Sequence, residues 1–472
     1  MKDTICALAT PQGGAINVIR VSGPEAVAIV DKIFVPRKGV ALASRKSHTV
    51  AFGDIYSAPD EQLDEVLVTV MRAPHSYTGE DSVEISCHAS PYITQQLLLT
   101  LFDNGARQAD AGEFTMRAFL NGKMDLSRAE AVADLIASTS RASHRLALNQ
   151  LKGGFSELLS RLRDKLLTLT SLMELELDFS EEDVTFADRT QLLSLCNEIE
   201  EVMSRLASSF SVGNAVKNGV PVAIVGETNA GKSTLLNALL HEDRAIVSDI
   251  QGTTRDTIEG VMTLSGVTFR FIDTAGLRET FDVVEKMGIE RTLDQLSKSS
   301  IALWMIDPLQ ELSAIEELAK RLLPVCPGKR LAVLVNKCDV VDPLALSKVM
   351  QWSGELVQKY GAGIEWDEHD LWAISARLGT NMDKLEEFLV RSAALPNIST
   401  HDVVVTNARH YEALKRALSN IRDVKQGLAD GLGSDLVSEN LRAALRNLSE
   451  IIGEVTCDEV LGSIFANFCI GK

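Results

Sequence analysis

The sequence predicts a three-part chain of α/β plus α+β and all-α elements: a P-loop α/β unit inserted into a helical domain, with an α+β domain ahead of both. Three observations predict it. Apolar periodicity switches along the 472 residues from short β-branched runs to a helical stripe, then to strands alternating with helices, then back to helix. A G-x-x-x-x-G-K-S loop follows the first apolar strand of the alternating region and precedes a helical pattern. Helical stretches lie on both sides of that region, and a domain inserted at a surface loop is well tolerated. Two separate helical bundles are the competing arrangement. The length alone gives a prior of about three domains.

In residues 1–120, runs such as AINVIRVSG (15–23), DEVLVTVMRAP (64–74) and DSVEISCHASP (81–91) are bounded by Gly and Pro and read as strands. In 121–213 the period becomes helical, with Phe155, Leu158, Leu159, Leu162, Leu166, Leu169 and Leu172 on one stripe. A Gly/Asn-rich junction, VGNAVKNGVP (212–221), is expected to break that helix. In 214–392 the runs VPVAIV, VTFRFI, IALWMI, LAVLV and LWAI alternate with helical patterns, the signature of a mostly parallel sheet. In 393–472 the chain is helical again, with Leu414, Leu418, Ile421, Val424 and Leu428 on one face. A Thr456-x-x-Glu459 capping box opens a last short helix. The acidic run from Glu174 to Asp183 reads as a helix end and solvated loop.

Composition excludes several classes. With 45% hydrophobic and 24% charged residues the chain is not globally disordered. Its net charge of −18 argues against broad, non-specific binding to nucleic acid or membrane surfaces, both polyanions, although a local basic patch could still hold RNA. Seven scattered cysteines without a CxxC argue against a disulfide framework or zinc site and fit a reducing cytoplasm. No apolar run approaches the roughly 18 residues of a spanning helix, and the N-terminus lacks a signal-peptide core.

The phosphate-binding set begins at Gly226-Glu-Thr-Asn-Ala-Gly-Lys-Ser233. Glycines let backbone amides wrap phosphate at a helix N-terminus, Lys232 reaches the β/γ-phosphates, and the Ser233 hydroxyl binds Mg²⁺. Asn229, Ala230, Gly231 and Thr234 complete this loop as nucleotide contacts. Asp273-Thr274-Ala275-Gly276 closes VTFRFI: the Asp is placed to hold Mg²⁺ through water, and the Gly amide faces the γ-phosphate. Asn336-Lys337-Cys338-Asp339 closes LAVLV, and the Asp339 carboxylate can accept from both N1–H and the exocyclic amine of guanine; adenine lacks that donor pair. Ser375-Ala376-Arg377 follows LWAI as the second base contact. Gly252-Thr253-Thr254-Arg-Asp256 lies between, with Thr254 able to sense Mg²⁺ and γ-phosphate. Each motif alone is weak; five in order, each at a strand end, indicate a Ras-like GTP-binding domain. One position departs: Leu277 stands where Ras-type enzymes carry a water-orienting Gln. Another group must place the water and neutralise charge. Arg278 is a local candidate, with a plain surface arginine as the alternative.

At GETNAGKS, GTTRD, DTAGLRE, NKCD and the terminal Cys469-Ile-Gly-Lys472, the chain closely resembles the MnmE (TrmE) family of tRNA-modification GTPases. The N-terminal stretches TPQGGAINVIRVSG, YTGEDSVEISCH and AGEFTMRAFLNGKMDLSRAEAVADLI resemble it too, so the likeness covers essentially the whole length. The G motifs alone would also suit ribosome-assembly GTPases such as Era and Der; the two ends of the chain separate them. The resemblance implies an N-terminal folate-binding domain that forms a homodimer, a helical domain and an inserted G domain. It further implies a heterotetramer with the FAD protein MnmG that installs a carboxymethylaminomethyl group on the wobble uridine of certain tRNAs. FAD enters only through that partner. G domains pair across the nucleotide, with K⁺ in place of an arginine finger.

The family's K⁺-contacting asparagine falls on Asn229, and its K⁺-loop positions fall on Ser248, Ile250 and Thr253. Asp249 and Gln251 lie within that nucleotide-contacting loop. The water-orienting glutamate falls on Glu285. For 5-formyltetrahydrofolate or a related tetrahydrofolate the matching positions are Arg20, Glu84, Lys123 and Lys472. Asn17 departs from the family, standing in a turn where glycine is expected. Cys469 is either a catalytic or folate-adjacent thiol or a buried structural one. Although it is fourth from the end, the final Lys fits no prenylation signal. A third class, a folate-dependent one-carbon transferase with a vestigial G domain, is disfavoured by the intact motif set.

Overall fold

Strand β1 (Ile5–Leu8) and strand β2 (Ile16–Ser22) open a seven-stranded sheet in a computed structural model that describes residues 3–11, 13–178, 189–241, 260–272, 293, 296–393, 403–430, 432–454, 458–466, 468 and 471. Helix α1 (Ala26–Ile33) precedes β3 (Phe34–Pro36), β4 (Thr49–Ala58), β5 (Glu61–Met71) and β6 (Ser82–His88). Helix α2 (Pro91–Asp103) and the short β7 (Arg107–Gln108) complete the α+β part. The sheet order is β3-β4-β5-β6-β2-β1-β7. β2 pairs antiparallel with β6 in a register that sets Arg20 directly opposite Glu84. Asn17 lies on β2 and not in a turn; its buried amide donates to Thr94 Oγ1 at 2.8 Å and accepts from Thr10 Oγ1 at 3.2 Å. A polar side chain with those partners is satisfied in a strand, so glycine is not required there.

Helices α3 (Glu113–Leu120), α4 (Leu126–Ala137), α5 (Arg141–Leu151), α6 (Gly154–Asp178) and α7 (Arg189–Asn218) follow. Of the predicted α6 stripe, Phe155, Leu159, Leu162, Leu166 and Leu169 are buried, and Leu158 and Leu172 are half-buried. The predicted break falls late in the 212–221 junction: α7 continues through Gly213 and Asn214 and ends at Asn218, just before the next strand begins at Val220. Gly213 serves close packing: a Cβ there would overlap the Val405 carbonyl oxygen and stand 2.8 Å from Val404 Cγ1. Val216 is buried, and the helix stops at Gly219, whose φ is +83°.

The second sheet has six strands, β8 (Val220–Val225), β9 (Gly260–Leu264), β10 (Val267–Phe271), β11 (Ile301–Ile306), β12 (Arg330–Val335) and β13 (Leu371–Ala373), in the order β13-β12-β11-β8-β10-β9. All neighbours are parallel except the edge pair β9–β10, and β9 is the one described strand of this sheet that periodicity did not single out. Its helices are α8 (Lys232–His241), α9 (Leu312–Leu322), α10 (Pro343–Tyr360) and α11 (Met382–Ser392). Both faces are covered: Val222, Ile224, Leu303, Met305 and Leu334 enter one core, and Ala223, Val225, Trp304, Val333 and Val335 enter the other.

Helices α12 (Ala408–Asp430), α13 (Ser434–Ile452) and α14 (Asp458–Phe465) end the chain. The five apolar residues predicted for the α12 stripe are buried. Thr456 of the expected capping box lies outside the described residues.

The chain forms two compact units. One holds Met1–Ala137, Ala147–Ser204 and Glu412–Lys472; the other holds Ser138–Leu146 and Arg205–Tyr411. The α/β sheet therefore sits on a segment the chain enters after 204 and leaves before 412, the insertion the sequence predicts. Within the first unit α13 packs along α6, with Arg442 pairing Glu174 at 2.6 Å, and α12 pairs α7 through Glu200 with Arg422 and Lys425, each at 2.9 Å. No described helix is long and apolar enough to cross a membrane.

Candidate nucleotide site

β8 ends at Val225, and the chain then makes a loop that requires glycine at two positions. Gly226 has φ +155°, and a Cβ on it would run into the Met305 carbonyl oxygen; Gly231 has φ +98°, and its Cβ would meet the Asn336 amide nitrogen. Between them Asn229 takes the left-handed conformation at φ +64° and is exposed. α8 starts at Lys232, so the loop delivers its amides and a helix N-terminus to one place, a ready anion site. Ser233 and Thr234 are exposed on its first turn. The Lys232 ammonium donates to the carbonyls of Gly226 at 2.9 Å and Glu227 at 2.7 Å. Burial pushes its pKa below the ordinary lysine value, and the Glu227 charge opposes that shift.

Asn336 joins three loops. Its backbone N–H donates to Ile306 O at 2.9 Å, its Nδ2 donates to Ala230 O at 2.8 Å, and its Oδ1 accepts from Ala376 N at 3.0 Å. The phosphate loop, the NKCD loop and the Ser375–Arg377 loop are thereby fixed to one another. Asp339 is exposed, on a turn closed by Val340 N donating to Lys337 O at 3.1 Å. Ser375 is buried, and its hydroxyl accepts from Leu378 N at 3.2 Å; Arg377 is exposed. Asn229, Ala230, Gly231, Lys232, Ser233, Thr234, Asn336, Lys337, Asp339, Ser375, Ala376 and Arg377 thus share the C-terminal ends of parallel strands, where open α/β sheets bind ligands. Ser248, Asp249, Ile250, Gln251, Gly252, Thr253, Thr254, Asp273, Thr274, Ala275, Gly276, Leu277, Arg278 and Glu285 lie outside the described residues. One residue at the same strand ends carried no motif: Asp307, which follows β11 and accepts from Lys337 Nζ at 2.6 Å. Its place directly after IALWMI, level with Asn336 after LAVLV, is the signal that could have found it.

In the first unit the β2–β6 register brings Arg20 and Glu84 together, Nη2 to Oε1 at 2.8 Å. The Arg20 guanidinium also lies 5.4 Å from the Tyr77 ring centre and 5.6 Å from that of Phe114, and its Nη1 donates to Gly471 O at 3.4 Å. Burial raises the Tyr77 phenol pKa, against its hydrogen bond with Thr115 and the Arg20 charge. Tyr77 and Phe114 went unread in the sequence, where both look like ordinary core aromatics. Lys123 is exposed and donates to Pro74 O at 2.8 Å. Cys469 and Lys472 lie outside the described residues.

The sheet, its phosphate loop and the two base-recognition loops tied by Asn336 define a P-loop GTPase whose G domain is set inside another domain. Comparison with known proteins carries this further. A family model for the MnmE helical domain matches residues 126–469, and one for the GTP-binding protein TrmE N-terminus matches residues 4–123. A tRNA modification GTPase MnmE from Bacteroides fragilis is 56% identical over 472 residues, covering all of both chains. The protein of that name from Bacteroides thetaiotaomicron is 54% identical, also over the full length of both. The one from Flavobacterium johnsoniae is 50% identical over 475 residues, covering 100% of this chain and 99% of its own. The chain belongs to the MnmE (TrmE) family and is a tRNA-modifying GTPase.

Proposed function

We propose that this GTPase hydrolyses GTP in a K⁺-dependent manner after two G domains meet across the nucleotide. With the FAD protein MnmG it then adds a carboxymethylaminomethyl group to the wobble uridine of certain tRNAs, using a tetrahydrofolate one-carbon unit. The observation that carries the hydrolytic part is the exposed Asn229 carboxamide at the bend of the phosphate loop, in a chain whose sequence has Leu277 where Ras-type enzymes carry a water-orienting Gln. Water attacks the γ-phosphorus as the bond to the bridging β-oxygen breaks, giving GDP and phosphate. Lys232 and the loop amides hold the phosphate oxygens, Glu285 orients the water, Arg278 is the alternative charge donor, and Asp339 with Ser375 to Arg377 holds guanine. Ser233 and Thr254 would hold Mg²⁺; Asn229, Ser248, Ile250 and Thr253 would hold K⁺. The described donors fit hard cations, since Ser233 and Asn229 present exposed oxygen-bearing side chains. Such cations supply neutralisation of the charge on the transferring phosphoryl group.

For the folate, Arg20, Glu84, Lys123 and Lys472 are the proposed contacts. The donor set suits it: a partly exposed carboxylate can face the pterin amide and amine, beside a guanidinium flanked by two aromatic rings. Cys469 is the proposed thiol beside this group. The working partition is 1–120 for folate binding and dimerisation, 121–213 with 393–472 as the helical domain, and 214–392 as the G domain. The protein is placed in the cytoplasm as a homodimer through its N-terminal domain and a heterotetramer with MnmG.

GTP turnover measured in KCl and in NaCl at equal ionic strength, over a range of protein concentrations, tests the hydrolytic reading. The rate per chain should be at least tenfold higher in K⁺ and should rise with concentration, given the roughly 10³–10⁵ that an arginine finger supplies. Equal rates in the two salts remove the cation role. Mass spectrometry of wobble uridines from cells lacking the protein tests the modification.

A further inference from the structure

Asp307 is almost wholly buried, 6% exposed, at the C-terminal end of β11. Burying a carboxylate in that position is costly unless its oxygens are answered by donors. Two donors do so: Lys337 Nζ reaches Oδ2 at 2.6 Å, and the Leu309 backbone N–H reaches Oδ1 at 3.0 Å. Lys337 is unusual in its own right. Its φ is +62°, a conformation that non-glycine residues seldom adopt. It forms the first corner of the turn that displays Asp339, and the following residue, Cys338, is tied through its N–H to Ile374 O at 3.1 Å. The preceding residue, Asn336, is held by its N–H on Ile306 O, next to Asp307 itself. The left-handed step therefore turns the lysine side chain back across the strand ends to Asp307 while Asp339 faces solvent.

We infer that Asp307 is a positioning residue for guanine-nucleotide binding: it clamps Lys337 across the ends of β11 and β12 and so holds the base-recognition turn in its binding conformation before nucleotide arrives. Without the clamp, a lysine side chain with large rotamer freedom and a strained backbone is released, and part of the binding energy goes into re-ordering the turn. This inference rests on the assignment of Asp339 to the guanine base.

The test uses the full-length protein with GTP and GDP. Asp307→Asn should raise the KM for GTP and the Kd for GDP by about tenfold to a hundredfold, the loss of one charge-assisted hydrogen bond, with kcat at saturating GTP within about twofold. Lys337→Met should produce at least that defect, since Lys337 also belongs to the candidate nucleotide site. In the double variant the two effects should not multiply, because both break one pair. Asp307→Glu, which keeps the charge, should recover part of the affinity. Unchanged KM and Kd in Asp307→Asn overturn the proposal, as does full multiplication of the two defects in the double variant. If Asp307→Asn fails to fold, Asp307→Ser, which removes the same charge, takes its place, and an unchanged KM there also overturns the proposal. Asp339→Asn separates the two layers: an unshifted preference between guanosine and xanthosine nucleotides removes the base assignment, whereas a shift toward xanthosine with a silent Asp307→Asn removes only the clamp.

Discussion

Replacing Asn336 by Ala removes two bonds at once and leaves both partners stranded. Ala230 is fully buried and Ala376 is 4% exposed, so neither the Ala230 carbonyl nor the Ala376 N–H gains water in exchange. An unsatisfied buried polar group costs about 1–3 kcal/mol, so the pair costs about 2–5 kcal/mol after some relaxation. The assay follows from composition: the four tryptophans, 304, 352, 366 and 372, all lie in the unit containing Arg205–Tyr411. Tryptophan emission during urea unfolding therefore reports that unit alone. The transition of Asn336→Ala should move to lower urea with an unchanged slope, and GDP affinity should fall with it. Asn336→Asp should be no better, because it keeps the bond to Ala376 but sets a carboxylate oxygen against the Ala230 carbonyl. A shift worth less than about 0.5 kcal/mol would mean that the three loops are not held together by this side chain.

Two further outcomes can be read directly. Gly213→Ala would ordinarily stabilise a helix interior by about 0.5–1 kcal/mol, but here the new methyl meets the Val405 backbone, so the change should destabilise by about 1–3 kcal/mol in the same tryptophan assay; a stabilised variant refutes the close approach. Glu113 is buried, which alone would raise its pKa, but Arg107, the Asp110 N–H and Arg117 together carry it below the ordinary value of 4.5. A carboxyl depressed on folding contributes stability above its unfolded pKa, and that contribution is lost as pH falls through the folded value. Glu113→Gln should therefore cost about 1–3 kcal/mol at pH 7, where buried Arg117 keeps Asp3 and Glu80 but loses the Glu113 charge. Below pH 4.5 its stability should fall less steeply than that of the parent, followed by far-UV circular dichroism on heating. Parallel pH profiles would refute the assignment.

The sequence by itself determined the elements and the chemistry of the phosphate loop. Strand runs such as IALWMI, the α6 and α12 stripes and the GETNAGKS turn are legible because side-chain period and glycine conformation belong to contiguous residues. It located the end of α7 only to within 212–221, since the helix continues through Gly213 and Asn214 to Asn218, and the family comparison set Asn17 in a turn although it lies on strand β2. Tertiary structure decided what no contiguous pattern encodes: that β2 and β6 pair in the register joining Arg20 to Glu84, that Asn336 bridges Ala230 and Ala376, and that Asp307 answers Lys337. Each of those pairs sits between segments distant along the chain. Its partners are chosen by strand order and by the need of buried charges and amides to find donors and acceptors, which exists only once the sheets have closed around them.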